Sequence, residues 1–403
     1  MKVLLVTQHF YPENFKSNDI AFELQKRGYE VTVLTGIPNY PQGRFYKGYN
    51  ILRKRRQTID GVRVIRSFLF PRRKGRGFQL AINYLSWALC ASIRALFLAL
   101  FNKYDAILVH GTSPITQSIP AIIVKKIRKT PLYFWVLDLW PESLIYAGGI
   151  RNRYVLNLFT RIVKMTYNNS EKILISSQGF KQSIVEKGDY EDKIVYFPNW
   201  AEEIFYRERH SSENHEIMPD GFIVMFAGNI GEAQDFESVM QCALLLKENR
   251  DIKLVLVGDG RKKSWVDSFI EEHSLQETVY TLGYFPINEM PSLYKKADTM
   301  LLSLKDESIF NLTVPAKLQT YMASGKPIIA MINGEGQNII RNSNCGLAVN
   351  SGNYRELADS ILALKGESIT GREKLGLNGK EYFERHFELR RCIDNLCSIL
   401  HGV

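Results

Sequence analysis

A lysine one turn inside a helix start, behind a polar loop, is an arrangement suited to chemistry on phosphate. This chain has one in residues 305–330, KDESIFNLTVPAKLQTYMASGKPIIA. The apolar run just before it, residues 299–304, reads as a buried strand. Thr313-Val314-Pro315 then marks a helix start, Pro suiting the first turn and Thr313 able to cap it. The helix covers 316–323 and stops at Ser324-Gly325-Lys326-Pro327, with Gly just past its end. Residues 328–330 open another strand. Free backbone N–H groups and a positive dipole end suit phosphate, and Lys317 could meet a second phosphoryl oxygen. An ordinary β–loop–α unit with a surface lysine fits the same pattern.

Other loops fall where ligands bind in open α/β sheets, at the carboxyl ends of strands. The strand 222–226 leads into Ala227-Gly228-Asn229-Ile230-Gly231-Glu232, a Gly-bracketed turn fit for close approach to a diphosphate. Gly258-Asp259-Gly260-Arg261-Lys262-Lys263 follows a strand too, but Lys263 stands where a dinucleotide fingerprint needs its third Gly. It is not a Walker A loop, since Lys263-Ser264 is preceded by Lys. Strands 2–7 and 29–35 flank a helix expected at 19–27, a βαβ opening whose first loop carries Lys16, Ser17 and Asn18. Asp138 ends the strand 132–137, where a carboxylate could accept from a sugar hydroxyl, shuttle a proton, or cap the turn before Pro141.

Composition narrows the class. The 403 residues suggest two to three domains, with 45% hydrophobic and 23% charged residues as in ordinary globular proteins. The first apolar run stops at Thr7-Gln8-His9, which is short for a signal peptide and reads better as a strand. Five scattered cysteines without C-x-x-C argue for a reducing cytosol rather than disulfides or zinc. Residues 1–200 hold 30 Lys+Arg against 13 Asp+Glu, whereas residues 201–403 hold 22 against 29. A basic first half on an acidic second half implies an anionic partner for the first half alone.

That basic half contains Arg53-Lys54-Arg55-Arg56 and, at 72–76, Arg72, Arg73, Lys74 and Arg76. Residues 78–101 follow with a single charge, Arg94, and with Trp87 inside. The segment is long enough to span a bilayer, yet α/β pattern resumes at once. A core or interfacial helix at an anionic leaflet therefore fits better than a span. Nucleic acid is not expected as a partner, because no helix-turn-helix, zinc-finger or RNP pattern is present.

The stretch P-A-K-L-Q-T-Y-M-A-S-G-K-P resembles the donor-binding helix of glycosyltransferase family 4. The likeness is greatest to the bacterial N-acetyl-L-fucosaminyltransferase-like subgroup, through Val314, Pro315, Lys317, Tyr321, Ala323, Gly325, Lys326 and Pro327. The A-G-N-x-G of residues 227–231 and the loop at 38–43 resemble the same subgroup. The resemblance implies a GT-B fold: two doubly wound Rossmann-like α/β domains facing across a cleft. An acceptor domain is expected at 1–200 and a nucleotide-sugar domain at 201–371. Helices at 372–403 would pack back on the first domain, with a linker at 206–221.

The resemblance also implies site roles. Lys317 and Arg261 would stabilise the leaving diphosphate, and Asp138 occupies a position where many members carry His facing the donor sugar. Gly228, Asn229, Gly231, Thr313, Val314, Thr320 and Glu335 would contact the donor. The loop of Tyr284 and Phe285 would receive the base, and Lys16, Ser17 and Asn18 would lie near the donor phosphate and acceptor. Arg72, Arg73, Lys74, Arg76 and Trp87 would meet the membrane. The usual E-x7-E pair is missing, Leu312 and Thr320 standing in its places, so ribose must be held otherwise. No D-x-D, H-E-x-x-H or metal-ligand cluster is present, so neither metal nor other cofactor is expected.

The implied activity is retaining transfer of a sugar from a UDP-linked donor, with N-acetyl-L-fucosamine a candidate. The acceptor would be a polyprenyl-diphosphate-linked saccharide of O-antigen or capsule synthesis, at the inner face of the plasma membrane. A sugar-nucleotide 2-epimerase or a non-catalytic sugar-nucleotide binder would share the architecture.

Overall fold

The computed structural model describes residues 1–73, 75, 77–146, 149–207 and 218–402. Lys74, Arg76 and most of the expected linker lie outside the described residues. The chain divides into two compact units, Met1–Phe197 with Ile393–Val403, and Pro198–Cys392.

In the first unit, β1 (Lys2–Val6), α1 (Lys16–Lys26) and β2 (Glu30–Gly36) form the opening βαβ. An antiparallel pair follows, β3 (Arg56–Ile59) and β4 (Val62–Ser67), then the long helix α2 (Gly77–Phe101). The unit continues through β5 (Ala106–Gly111), α3 (Ser118–Arg128), β6 (Leu132–Val136), α4 (Glu142–Tyr146) and α5 (Arg153–Asn169). It closes its sheet with β7 (Lys172–Ile175), α6 (Phe180–Val185) and β8 (Ile194–Tyr196). The strand order is β3-β4-β2-β1-β5-β6-β7-β8, parallel except for the first pair. Leu5 pairs with Val33 on one side and Leu108 on the other, so the order reverses beside β1. β5 and β6, AILVHG and LYFWV, are buried along their whole length, as strands covered on both faces must be.

The second unit repeats the plan with β9 (Phe222–Ala227), α7 (Phe236–Leu246), β10 (Ile252–Val257), α8 (Lys263–Glu272) and β11 (Val279–Gly283). Then come α9 (Met290–Lys296), β12 (Thr299–Ser303), α10 (Ser308–Leu312), α11 (Ala316–Ala323) and β13 (Ile328–Met331). The last elements are α12 (Glu335–Ser343), β14 (Gly346–Val349), α13 (Tyr354–Gly366), α14 (Ile369–His386) and α15 (Leu389–His401). All six strands are parallel, in the order β11-β10-β9-β12-β13-β14, and the switch point lies between β9 and β12. α14 packs on α11 and α12, and Phe383 and Phe387 join the core on that face. From Ile393 onward the chain groups with the first unit, where Asp394 pairs with Arg27 at 3.0 Å. Two doubly wound α/β units are the expected GT-B fold class.

Helix α2 carries two faces. Trp87, Ala88, Ala91, Ala95, Leu98 and Ala99 are buried, and the small residues let it lie close on α3. Arg128 of α3 donates to the carbonyls of Ala99 and Leu100, which α2's own ladder leaves unpaired. The opposite face exposes Leu85, Leu89, Ile93, Phe97 and Leu100. Trp87, expected at the membrane, is instead fully buried, because its ring fills the space beside Gly36 and Leu69.

Candidate functional site

Glycine sets the loops of the second unit. The loops after β9 and β10 lie backbone against backbone: Gly228 N–H donates to Val257 O at 2.8 Å, and Ile230 N–H to Asp259 O at 2.8 Å. Lys262 N–H returns to Ile230 O at 3.0 Å. A Cβ at Gly258, whose φ is +141°, would overlap the Gly228 carbonyl. The two loops can lie this close because glycine stands at the contact in both, Gly228 in one and Gly258 in the other.

Helix α11 is fastened to this nest by one side chain. The Tyr321 hydroxyl accepts from Ala227 N–H at 3.0 Å and donates to Ala227 O at 3.1 Å. Lys317, four residues earlier and so on the same helix face, runs over Gly228. A Cβ at Gly228 would stand 2.6 Å from Lys317 Cε and 3.3 Å from Nζ. The ammonium lies 3.9 Å from the centre of the Phe226 ring and forms no ion pair among the described residues. Burial pulls its pKa down to about 7. A half-buried cation without a carboxylate, at the end of the strand beside the switch point, is a ready receptor for an anion.

Beside it opens a pocket of about 410 Å³ lined by Gly228, Asn229, Gly258 and Asp259 on one side and by Tyr284, Phe285 and Met290 on another. Tyr284 is exposed and offers a ring face for stacking. Arg261 is exposed and forms no ion pair among the described residues. Its neighbours are committed: Lys262 pairs with Glu237 at 2.5 Å and Lys263 with Asp267 at 2.6 Å.

The other expected donor residues differ in what they offer. Thr313 does not cap α11. Its hydroxyl donates to Ile309 O at 2.8 Å, because the supposed polar loop contains α10 and Thr313 ends that helix. Val314 is core, and the Thr320 hydroxyl is turned back onto Ala316 O at 3.3 Å. Glu335 begins α12, and its half-buried position pushes its pKa up. Gly334 and Gly336 press this turn onto Asn311 and Pro315, so Glu335 stands beside the start of α11.

The first unit sets its loops with buried polar side chains. Glu13 is almost fully buried and accepts from Asn39 N–H at 2.8 Å and Tyr40 N–H at 2.6 Å, with His9 Nδ1 at 3.1 Å. Asn83 of α2 accepts from Gln8 at 2.7 Å and donates to Phe70 O at 2.6 Å. Ser17 donates to His9 O at 3.0 Å, while Asn18 accepts from Tyr11 N–H and donates to Glu13 O. The side chains of Ser17 and Asn18 are thus occupied in shaping the loop; Lys16 opens α1 beside them. Asp138 accepts twice from Ser113, N–H and hydroxyl, each at 2.7 Å. It caps nothing before Pro141. Arg72 lies over Tyr40, ring centre 4.8 Å away, rather than in an open basic patch, and Arg73 N–H donates to Gly43 O. Sequence reasoning missed Glu13, His9, Asn39 and Asn83, whose partners lie up to 75 residues away.

Among the described residues no three His, Cys, Asp or Glu side chains are grouped to hold a metal ion. The model of the glycosyl transferase 4-like domain matches residues 17–200, and that of glycosyl transferases group 1 matches residues 221–366. A probable glycosyltransferase, WbjE of Pseudomonas aeruginosa, is 27% identical over 277 residues, 66% of each chain. The putative colanic acid biosynthesis glycosyl transferase WcaI of Escherichia coli K12 is 24% identical over 344 residues, 81% of this chain and 82% of its own. Among solved structures, Anabaena Alr3699/HepE in complex with UDP superposes with a TM-score of 0.72, 15% identity and full coverage of both chains. Both halves match glycosyltransferase models in the order that the two sheets follow, so the chain is a glycosyltransferase of the GT-B fold, of the family 4-like group.

Proposed function

We propose that this enzyme transfers a sugar from a UDP-linked donor to a polyprenyl-diphosphate-linked saccharide, in the synthesis of a surface polysaccharide. The observation that carries the reading is Lys317, a half-buried cation laid over Gly228 beside the pocket. A nucleoside diphosphate fits that place. Its base would stack at Tyr284 and Phe285, its phosphates would meet the backbone of 228–231 and the first turn of α11, and Lys317 would take the charge released on the leaving group. Arg261 is a second cation for the same phosphates. HepE, which binds UDP, and WcaI, assigned to colanic acid synthesis, support the nucleotide and the pathway. Retention at the anomeric carbon follows from the family 4 resemblance. Charge neutralisation by Lys317 and Arg261 makes transfer without metal the expected mode.

N-acetyl-L-fucosamine is the first donor sugar to try, on the strength of the Val314–Pro327 motif. The first unit is read as the acceptor side, with Asp138 taking a hydroxyl hydrogen bond from a sugar. It is also read as the membrane side. α2 is long and apolar enough to cross a bilayer, yet it lies on α3 and exposes one apolar face. Arg94 on that helix feels Arg55 and Arg56, which with its burial lower its pKa, so cations flank the apolar row. Leaving such a row in water forgoes about 1.5–3 kcal/mol per large side chain, and an anionic leaflet would cover both features. Peripheral binding at the inner face of the plasma membrane is the reading that results.

A panel of UDP- and GDP-sugars with a polyprenyl-diphosphate-GlcNAc analogue tests the proposal, scored for nucleotide release in EDTA. UDP release dependent on the acceptor is expected. Release only from GDP-sugars, or only with a restored divalent ion, would overturn the donor or the metal-free part respectively.

A further inference from the structure

The loop leading into β3 holds two large aliphatic side chains out in water: Leu52 is 84% exposed and Ile51 50%. Its backbone is braced rather than loose. Asn50 Oδ1 accepts from Leu52 N–H and Arg53 N–H, each at 2.8 Å, which closes the turn at the tip. The Tyr49 ring centre lies 4.5 Å from Lys54 Nζ and 4.9 Å from the Arg66 guanidinium. Arg66 is buried near the end of β4, and its N–H donates to Arg55 O at 2.9 Å. Its guanidinium donates to Lys54 O at 3.4 Å, to Gln57 Oε1 at 2.7 Å and, in the loop after β1, to Tyr11 O at 2.7 Å. The place of the tip follows from β4. Arg63 donates to Asn102, past the end of α2, at 3.2 Å, and Phe70 N–H to Ser86 Oγ of α2 at 3.0 Å, so β4 and α2 run antiparallel. β3 is the outer neighbour of β4, which puts loop 49–55 at the sheet edge, toward the first half of α2.

The charge around the tip has one sign. From Arg44 to Arg56 the chain carries six cations and no Asp or Glu. None of the six forms an ion pair among the described residues. An aliphatic pair ringed by unpaired cations matches a layer that is anionic at its surface and apolar beneath. Nucleic acid would use the cations and leave Ile51 and Leu52 in water. We propose that loop 49–55 is a membrane-inserting tip, with Ile51 and Leu52 entering the acyl region of an anionic leaflet while the cations hold its headgroups. The proposal rests on reading the first unit as the membrane side, and it adds a wedge separate from the apolar row of α2. Because Arg66 joins this loop to the loop after β1, insertion would turn the strand ends of the first sheet toward the leaflet.

Quenching by brominated lipid separates the tip from α2. Leu52→Trp and Ile93→Trp each add one indole to the full chain, and vesicles of phosphatidylglycerol with brominated phosphatidylcholine report its depth. Leu52→Trp should be quenched on these vesicles, and phosphatidylcholine alone should bind the protein weakly. The double variant Ile51→Ser, Leu52→Ser should bind the anionic vesicles at least about tenfold more weakly, the loss of two partly inserted aliphatic groups. Its UDP affinity and melting temperature should match wild type, which keeps the effect apart from misfolding. Quenching of Ile93→Trp without quenching of Leu52→Trp would sink the tip and leave the membrane reading standing. No binding of wild type to either kind of vesicle would sink both. Vesicle binding by the double variant as tight as wild type would overturn the proposal in favour of an acidic protein as partner of the cations.

Discussion

In the second unit the loops after β9 and β10 are fixed by main chain on main chain, with Gly258 against Gly228 and a single tyrosine clipping α11 to Ala227. In the first unit the corresponding loops are fixed by side chains: Glu13 ties residues 9–13 to 39–40, and Asn83 ties α2 to Gln8, in the loop after β1, and to Phe70. Backbone packing holds one shape and leaves few ways to change it, as suits a ligand part that many enzymes share, the diphosphate of a sugar donor. Side-chain networks can be rebuilt residue by residue, as suits acceptors that differ between enzymes.

Breaking the two frames should therefore give different failures. Lys317→Ala should lower turnover by about 10²–10³-fold with the fold intact, the cost of one electrostatic donor to a leaving group. Single-turnover kinetics and circular dichroism check both parts. Gly258→Val forces the Gly228 carbonyl away, and displacement by about 1 Å costs on the order of 10² in rate. Its donor KM should rise while its acceptor KM stays as in wild type. Glu13→Gln acts on the other frame. It leaves a buried amide facing donors it cannot all satisfy, for a loss of about 1–3 kcal/mol in unfolding free energy. Donor affinity measured on the folded variant should stay within about twofold of wild type.

An effect confined to acid belongs to His110, buried beneath the first-unit loops, whose pKa burial and the nearby His9 lower to about 3. The folded state thus keeps it neutral where the unfolded chain would protonate it near 6.5. Stability is full above that pH and falls as pH drops toward 3, by up to about 1.4 kcal/mol per pH unit. His110→Phe should flatten that slope in acid unfolding titrations.

The fold was readable because its strands are long apolar runs and α11 carries its own stop signal, residues 316–323 falling where expected. The helix after β1 starts at Lys16 rather than at 19, since the loop's polar residues are tied locally and do not delay it. α10 was invisible: five residues inside a polar stretch carry too little periodicity to separate helix from loop. Trp87 was misplaced because α2 is apolar on both faces, so composition could not say which side meets the core. The network of Glu13, Asn39 and Asn83 left little local signal, because the bonds from Asn39 and Tyr40 to Glu13 and from Gln8 to Asn83 join residues far apart in sequence.

The central claim is that the second unit binds a nucleoside diphosphate through Lys317. Calorimetric titration of UDP in EDTA, from pH 6 to 9, tests it most directly. With the free ammonium titrating at about 7, wild type should bind UDP more weakly as pH rises through that value and take up a proton on binding above it. Lys317→Arg should lose that dependence, and Lys317→Ala should bind at least about tenfold more weakly at pH 6.5. UDP bound equally well by wild type and Lys317→Ala, or bound only when a divalent ion is added, would contradict the account.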